Sequence, residues 1–335
     1  MQIWRELAAV PDGFGPSVVT IGNFDGVHRG HASVLERMCA DARAVGAQAV
    51  AVTFTPHPQQ VHRPDSAPPV ITGDDDRLEL LERTGLDAVL LLTYTLEFAR
   101  QTPDEFVRRY LVDGLRARTV VVGRDVRFGR DNSGDLSTMV ELGRTHGFDV
   151  EVIEDVTPAQ SADPGSPEDL VADPLRRRWS STWVRELLEA GDVVQAARVL
   201  GRPHRIRGTV VHGDARGREL GFPTANLGQD STGLVPADGV YAGWLWRVAS
   251  AEVLPAAISI GTNPTFDGAE RRVEAYVLDR TDLDLYDQVV VLELVERLRP
   301  TLRFDSIDEL VVRMHEDVNR ARVILATGAR ATPTA

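Results

Sequence analysis

The chain has 335 residues, of which 37 are basic and 50 acidic, so its formal net charge is −13. This length predicts two domains of ordinary size. The acidic balance argues against a nucleic-acid groove or an anionic membrane surface as the main partner, although a local basic pocket for phosphates remains compatible with it. Every basic side chain is arginine, which excludes a Walker A loop and mechanisms that depend on a catalytic lysine.

The number of cysteines and the first residues of the chain indicate the cellular compartment. The one cysteine, Cys39, allows no intramolecular disulfide and too few ligands for a cysteine zinc site. The start of the chain has no basic segment followed by an apolar one, and no apolar run is long enough to span a bilayer. We therefore expect a cytoplasmic protein without a membrane partner, whose oligomeric state the sequence leaves open.

The first half of the chain alternates apolar runs with helical patterns. Strands are predicted at 17–22, 48–54, 86–94, 118–123 and 148–156. Helices are predicted between them at 31–45, 74–84, 102–113 and 135–146. Thr102 and Glu105 form a capping box, and Gly85 and Gly147 are typical of helix ends. Continuous β-branched strands that alternate with helices predict a doubly wound parallel α/β sheet, which binds ligands at the carboxyl ends of its strands.

The second half begins with a stretch rich in Pro, Asp, Ser and Gly, 157–173, which is predicted to be a linker or a mobile loop. Two short helices are predicted at 183–190 and 193–200. Short strands with no helices between them follow at 207–213, 239–248, 255–261, 271–279 and 288–298. This pattern predicts an antiparallel barrel, and a capping box at Ser306 and Glu309 starts a terminal amphipathic helix. The predicted domains are 1–182 and 183–325, with a disordered tail at 326–335.

A block of ten residues, GNFDGVHRGH at 22–31, follows the first predicted strand and opens a helix. His28 and His31 are three residues apart, so we expect them on one face of the helical turn. Imidazoles at a helix N-terminus can donate hydrogen bonds to phosphate oxygens, and the glycines let the backbone approach a ligand. The alternative is a surface histidine pair with turn glycines. The spacing differs from the GxGxxG dinucleotide fingerprint.

A second block, HGDARGRELGFPTANL at 212–227, combines a glycine-rich loop with an extended segment. Thr224 and Asn226 alternate with Ala225, so we expect their side chains on one face. A hydroxyl and an amide oxygen suit Mg²⁺, which also takes substrate phosphates. Further on, Glu274 lies inside a strand of alternating apolar residues, where it is either a solvated face residue or a general base toward an alcohol.

The first half resembles the FAD synthetase branch of the nucleotidyltransferase superfamily. The resemblance rests on 22–31, on FTPHP at 54–58, on VGRDVRFG with Gly134, and on SSTWVR at 180–185. It implies adenylyl transfer, in which the phosphate of FMN attacks the α-phosphorus of ATP and pyrophosphate leaves. The residues that the resemblance assigns to catalysis are His28, His31 and Arg185. Those that it assigns to nucleotide or flavin binding are Gly22, Asn23, Phe24, Asp25, His57, Asp125, Ser181 and Thr182.

The second half resembles bacterial riboflavin kinases. The resemblance rests on GRELGFPTAN, DGVYAGW, SIGTNPTF, RRVEAY and DLY, in this order. It implies a six-stranded barrel in which Thr224 and Asn226 bind Mg²⁺ and the nucleotide, together with the loop glycines Gly213 and Gly221. Glu274 would deprotonate the 5′-hydroxyl of riboflavin, which attacks the γ-phosphorus of ATP. Both halves together resemble the bifunctional family that converts riboflavin to FMN and then to FAD with ATP and Mg²⁺.

Two departures from the family pattern and several plainer alternatives accompany this interpretation. Val126 stands where the FAD synthetase family usually has an aromatic residue, and Trp179 replaces a small aliphatic one. They motivate a first alternative, a riboflavin kinase with an impaired adenylyltransferase domain; a second is a non-catalytic flavin-sensing module. For single residues, His57 and Asp125 are also compatible with turn formation, and Arg185 with a solvated helix face.

Overall fold

The computed structural model describes residues 1–153, 177–213, 220–262 and 271–327. The chain divides into two compact units. The first contains 1–70 and 74–180, and the second contains 71–73 and 181–335. The predicted linker at 157–173, the arginines of the second block and the tail beyond 327 lie outside the described residues, as does the second half of the SIGTNPTF segment.

The first unit contains a sheet of six strands, every pair of which is parallel. The strands are β1 (Gln2–Trp4), β2 (Ser17–Ile21), β3 (Gln48–Thr55), β4 (Ala88–Thr93), β5 (Ala117–Gly123) and β6 (Asp149–Ile153). Their order across the sheet is β1-β4-β3-β2-β5-β6. The parallel α/β prediction is confirmed. The sequence analysis missed β1, because three residues at the sheet edge are too few to show a pattern.

Five helices connect these strands. They are α1 (Arg29–Ala44), α2 (Pro58–His62), α3 (Asp74–Glu82), α4 (Pro103–Phe106) and α5 (Leu136–His146). The Thr102–Glu105 capping box forms in both directions. The helix predicted at 102–113 continues beyond α4 as a π-helix, Val107–Gly114. The sequence predicted a helix here but not its π form. Gly85 and Gly147 adopt φ values of 85° and 83°, as expected for glycines that end helices.

The sheet of the first unit is buried on both faces. Val19 packs with Val50 on one face, whereas Val18 packs with Leu35 and Cys39 of the helical layer on the other. Burial on both sides explains why the strands read as continuous apolar runs. The thiol of Cys39 is 1% exposed, and burial raises its pKa to about 11.

The second unit contains a closed antiparallel barrel preceded by two helices and followed by one. The helices α6 (Ser181–Ala190) and α7 (Val193–Leu200) come first. The barrel strands are β7 (His204–Val211), β8 (Thr224–Leu227), β9 (Gly239–Arg247), β10 (Glu252–Gly261), β11 (Arg272–Val277) and β12 (Val289–Pro300), in the order β10-β11-β8-β7-β12-β9. Helix α8 (Ile307–Thr327) packs on β9, β10 and β12. The predicted six-stranded barrel with a terminal helix is confirmed.

Candidate functional sites

The strand order of the first unit fixes where its ligand site lies. The chain passes from β2 to β3 and β4 on one side of β2, and then crosses to β5 and β6 on the other. The connections therefore change direction beside β2. In open parallel sheets the crevice at such a switch point, at the carboxyl ends of the strands, holds the ligand. Residues 22–28, which follow β2, occupy this position.

The backbone of this loop depends on glycine at two places. A Cβ at Gly22 would lie 2.9 Å from the ring of Phe24, and a Cβ at Gly30 would lie 3.1 Å from the ring of His28. Phe24 itself has a φ of 47° and is buried. The two glycines thus leave room for the rings that shape the loop, rather than simply making it flexible.

The two histidines of the block lie together, as predicted. Their rings are stacked with centroids 3.7 Å apart and an interplanar angle of 21°. His28 caps α1, and its Nδ1 accepts a hydrogen bond from the backbone N–H of His31 at 3.3 Å. Because Nδ1 accepts, a neutral His28 carries its proton on Nε2 and can donate it to a phosphate oxygen. The backbone N–H groups of the first turn of α1 lie at the same end of the helix as His28, where they can also donate to a phosphate.

His31 occupies a more enclosed position than the sequence indicated. Its Nδ1 is buried and has no hydrogen-bond partner among the described residues, and the ring meets Phe24 edge-on at 5.4 Å. Burial lowers the pKa of His31 to about 4. At neutral pH the imidazole is therefore uncharged. Attraction for an anion must come from N–H groups and the helix dipole rather than from an imidazolium at this position.

A buried arginine ties the loop after β2 to the end of β3, and the sequence analysis missed it. Arg77, only 3% exposed, donates to the carbonyl oxygens of Asn23 at 2.9 Å and Phe54 at 2.8 Å. It also donates to Asp74 Oδ1 at 2.7 Å. Since Asn23 and Phe54 follow or end adjacent strands, one guanidinium fixes both strand ends. No sequence signal separates Arg77 from the other arginines of predicted helices.

The remaining predicted residues of the first unit lie outside the loop that follows β2. His57 caps α2 by accepting from the Gln59 N–H at 3.2 Å, which matches its plain interpretation as a turn residue. Asp125 is exposed and pairs with Arg178 at 3.3 Å. Val126 is half-buried and packs against the core of the sheet. Trp179 is buried, and the guanidinium of Arg29 lies 5.9 Å from its ring centroid.

An aromatic cluster lies beside the ends of β3 and β4. The ring centroids of Phe54, Tyr94 and Phe98 are 5.3 to 5.8 Å apart. His62 joins it through a 2.9 Å hydrogen bond to the Tyr94 hydroxyl. Such a cluster offers a surface on which a planar ring can stack. In the sequence, the signal for this cluster is the aromatic residues at the predicted strand ends.

The predicted phosphate residues Ser181, Thr182 and Arg185 belong to the second unit, where they form the first turns of α6. Arg185 follows Ser181 by four residues and Thr182 by three, so the three side chains share one face of the helix. Thr182 is exposed, and Ser181 and Arg185 are half-buried. The arrangement is a helix N-terminus with hydroxyl and guanidinium donors.

In the barrel, the predicted residues lie on neighbouring strands. Glu274 of β11 is directly opposite Asn226 of β8, and Tyr276 is opposite Thr224. The Thr224 hydroxyl donates to Glu274 Oε2 at 3.2 Å. Asn226 Nδ2 lies 3.4 Å from Thr224 Oγ1, which places both side chains on one face as predicted. Strand register thus holds a carboxylate, a hydroxyl and an amide together.

The two predicted glycines of the barrel site differ in what they require. A Cβ at Gly213 would lie 2.6 to 2.8 Å from the side-chain atoms of Asn226, so this position must lack one. Gly221 has a φ of 85° and nothing within 4 Å of an added Cβ, so it serves a turn. Only Gly213 has a direct contact with the predicted site.

The polar groups of β8 fit a hard cation that is bound together with phosphates. Asn226 Oδ1 is buried and has no hydrogen-bond partner among the described residues. No group of three or more His, Cys, Asp or Glu side chains in the part of the chain that the structure describes could hold a metal ion. Thr224 and Asn226 therefore suit Mg²⁺, which keeps waters and phosphate oxygens as its other ligands, rather than an ion held by an all-protein cage.

A cavity of about 180 Å³ lies between the barrel and α8, and Thr224 and Glu274 line it. Its walls are mainly apolar, with Leu220, Phe222 and Met314 among them. An apolar cavity with a few polar groups is typical of a site for a planar organic ligand. The carboxylate of Glu274 thus lies where such a ligand meets the polar residues of β8.

Two family models match the chain. The model for FAD synthetase matches residues 12–162, and the model for riboflavin kinase matches residues 200–325. Relatives described as bifunctional riboflavin kinase/FMN adenylyltransferase match nearly the whole chain. One from Escherichia coli is 35% identical over 91% of both chains, and one from Pseudomonas fluorescens is 36% identical over 98% of this chain and 99% of its own.

One solved structure is similar over both units. It is described as a macrolide-efflux protein from Streptococcus pneumoniae, is 29% identical, and covers 96% of this chain and 98% of its own with a TM-score of 0.77. In the described ranges of the present chain, no helix combines the length and the apolar character needed to cross a membrane.

Proposed function

The chain belongs to the family of bifunctional riboflavin kinases/FMN adenylyltransferases, and from this premise we propose which residues perform its two reactions. The enzyme phosphorylates riboflavin to FMN and adenylylates FMN to FAD, with ATP as co-substrate in both steps. The alternative of a kinase with an impaired adenylyltransferase domain is set aside, because the relatives match across both halves. A purely flavin-sensing module is set aside for the same reason.

For the kinase step, Glu274 is the general base. It removes the proton from the 5′-hydroxyl of riboflavin while that oxygen attacks the γ-phosphorus of ATP and ADP leaves. The observation that carries this assignment is the hydrogen bond between Thr224 and Glu274 in the wall of a mainly apolar cavity. Thr224 and Asn226 would hold Mg²⁺, which supplies neutralising charge to the phosphates. Gly213 and Gly221 would contribute to nucleotide binding, as the family resemblance implies.

For adenylyl transfer, the FMN phosphate attacks the α-phosphorus of ATP, and pyrophosphate leaves. The nucleophile is already anionic, so the residues position the reactants and stabilise charge rather than remove a proton. His28 Nε2–H and the N-terminus of α1 would bind the ATP phosphates, with His31 in support. Gly22, Asn23, Phe24 and Asp25 form the loop that approaches the nucleotide. The rings of Phe54 and Phe98 offer a stacking surface for the flavin.

Other predicted assignments are carried forward as proposals. Ser181, Thr182 and Arg185 would hold the departing pyrophosphate, and Asp125 would orient ATP or flavin. His57 would shape the turn beside the nucleotide. We assign adenylyl transfer to residues 1–182 and the kinase reaction to 183–325. A cytoplasmic location, without nucleic-acid partners, is supported by the single buried thiol and the net charge of −13.

The direct test is a time course of the purified protein with riboflavin, ATP and Mg²⁺, in which the flavins are separated by chromatography. We expect FMN to rise first and FAD to follow. A parallel reaction that starts from FMN isolates the second step. FMN that accumulates without FAD would contradict the adenylyltransferase assignment, and unchanged riboflavin would contradict the kinase assignment.

A further inference from the structure

The wall of the barrel cavity contains a buried ion pair that the kinase mechanism does not use. Arg299 of β12 and Asp317 of α8 both line the cavity, and their side chains are 9% and 4% exposed. Arg299 Nε donates to the carboxylate oxygen Asp317 Oδ2 at 2.9 Å, and Arg299 Nη2 forms an ion-pair contact with the same oxygen at 2.8 Å. Arg299 Nη1 donates to the carbonyl oxygen of Pro300 at 3.1 Å.

This geometry leaves one acceptor unused. An arginine that pairs with a carboxylate commonly gives one N–H to each oxygen, whereas here both Nε and Nη2 of Arg299 lie against Oδ2. Asp317 Oδ1 is buried and has no hydrogen-bond partner among the described residues. A buried carboxylate oxygen without a partner is unfavourable, and much of the surrounding cavity wall is apolar. A donor that a ligand brings into the cavity would satisfy this oxygen.

Arg299 also keeps donors in reserve. A guanidinium has five N–H groups, and the hydrogen bonds to Asp317 and Pro300 use two of them. The pair thus offers one buried acceptor next to spare donors. The pyrimidine edge of a flavin has the complementary pattern, since its N3–H lies between two carbonyl oxygens.

This inference rests on the proposed kinase function: we propose that Asp317 is a specificity residue that accepts a hydrogen bond from the flavin N3–H through Oδ1. Arg299 holds the carboxylate in place and donates to a flanking ring carbonyl. The pyrimidine end of the ring then lies against α8. The ribityl chain extends toward Glu274, which lines the same cavity. The opposite orientation, with the dimethylbenzene end against Asp317, would leave Oδ1 without a donor.

The test compares riboflavin with N3-methylriboflavin, which lacks the donor and carries extra bulk. For the wild-type enzyme we expect kcat/KM of the kinase step to be about 10² to 10⁴ times lower with the methylated flavin. The variant Asp317→Ala removes the acceptor and opens space for the methyl group. We expect it to lose activity on riboflavin and to gain activity on N3-methylriboflavin, so that the ratio approaches one.

A second buried ion pair supplies the matched control. Arg205 and Glu293 join β7 and β12 at 2.7 Å with side chains 5% and 7% exposed, and they are not part of the cavity wall. Glu293→Ala should lower stability in a comparable way and leave the preference for riboflavin over its N3-methyl derivative unchanged. A merely structural role of Asp317 predicts the same behaviour for both variants.

The outcomes separate this inference from the proposed function. Wild-type enzyme that uses both flavins equally well overturns the role of Asp317 and leaves the kinase assignment intact. Wild-type enzyme that phosphorylates neither flavin contradicts the kinase assignment itself. If Asp317→Ala does not fold, quenching of flavin fluorescence on binding to the wild-type protein decides the question, because equal affinity for the two flavins overturns the inference.

Discussion

The two units use the same co-substrate but arrange their polar groups differently. In the first unit the candidate groups are two imidazoles, of which His31 is uncharged at neutral pH, and backbone N–H groups in a loop after a parallel strand. In the barrel the central group is a carboxylate inside a strand, held opposite an amide by strand register. The nucleophiles explain the difference. A phosphate attacks as an anion and needs no base, whereas an alcohol must lose a proton.

The largest effect should come from removing the barrel carboxylate. We expect Glu274→Gln to lower kcat/KM for riboflavin about 10³-fold, because general-base catalysis is lost, and to leave the conversion of FMN to FAD unchanged. Chromatography of reactions started separately from riboflavin and from FMN measures both effects. Glu252 lies on the neighbouring strand β10 and pairs with Arg247 away from the cavity. Glu252→Gln is the control, and it should change kcat/KM for riboflavin very little. Kinase activity retained in Glu274→Gln would remove the contrast between the units.

The corresponding substitution in the first unit should have a smaller effect on the rate. His28→Ala removes the side-chain N–H donor at the N-terminus of α1, and we expect about a 10²-fold loss in adenylyl transfer from ATP to FMN. Phosphorylation of riboflavin should not change. His146→Ala, which removes a half-buried histidine paired with Asp104, is the matched control. Equal losses in both reactions would indicate a general folding defect instead of a local role.

The chain sequence predicted the features that depend on local patterns and missed those that depend on tertiary contact. Strand and helix alternation, the capping box at Thr102 and the side-chain alternation around Thr224 are properties of short segments, and each is found in the structure. Arg77, the aromatic cluster around Phe98 and the ion pair of Asp317 join distant segments. Composition and periodicity carry no information about such pairings. The resemblance to known families named the catalytic candidates but not these supporting groups.

A positioning residue in the first unit should give an intermediate effect. Arg77→Met removes the donors that tie Asn23 and Phe54, so we expect KM for ATP in adenylyl transfer to rise about tenfold, with a smaller change in kcat. Arg83 lies one residue after the end of α3 and pairs with Glu79, and it is far more exposed than Arg77. Arg83→Met is therefore the control for the loss of an arginine. A fall in kcat of both reactions without a change in KM would contradict a positioning role.

The smallest predicted effect concerns pH and the uncharged His31. Its folded-state pKa of about 4 lies below the ordinary value of 6.5, so the unfolded chain binds more protons between these values. The contribution of His31 to stability is therefore complete above pH 6.5 and declines as the pH falls toward 4. Between pH 7 and 5.5 we expect a loss of about 1 kcal/mol in the free energy of unfolding relative to His31→Gln.

Urea unfolding of wild type and His31→Gln at both pH values measures this difference. A difference of the expected sign sharpens the contrast with the barrel, because it shows that His31 is neutral in the loop proposed to bind the ATP phosphates. An unchanged difference between the two proteins would mean that His31 titrates at its ordinary pKa and that the first unit carries a charged imidazole near pH 6.

The burial of Cys39 has a practical consequence for spectroscopy. Its thiol is enclosed in the core and titrates at about 11, so it is nearly inert toward maleimides at neutral pH. The chain contains no other cysteine and no lysine whose amine could compete for the reagent. A cysteine introduced by Val323→Cys, at a position of α8 that is 66% exposed, would be the one reactive thiol. A fluorophore or spin label could then report on the helix that borders the flavin cavity without removal of any native side chain in either site.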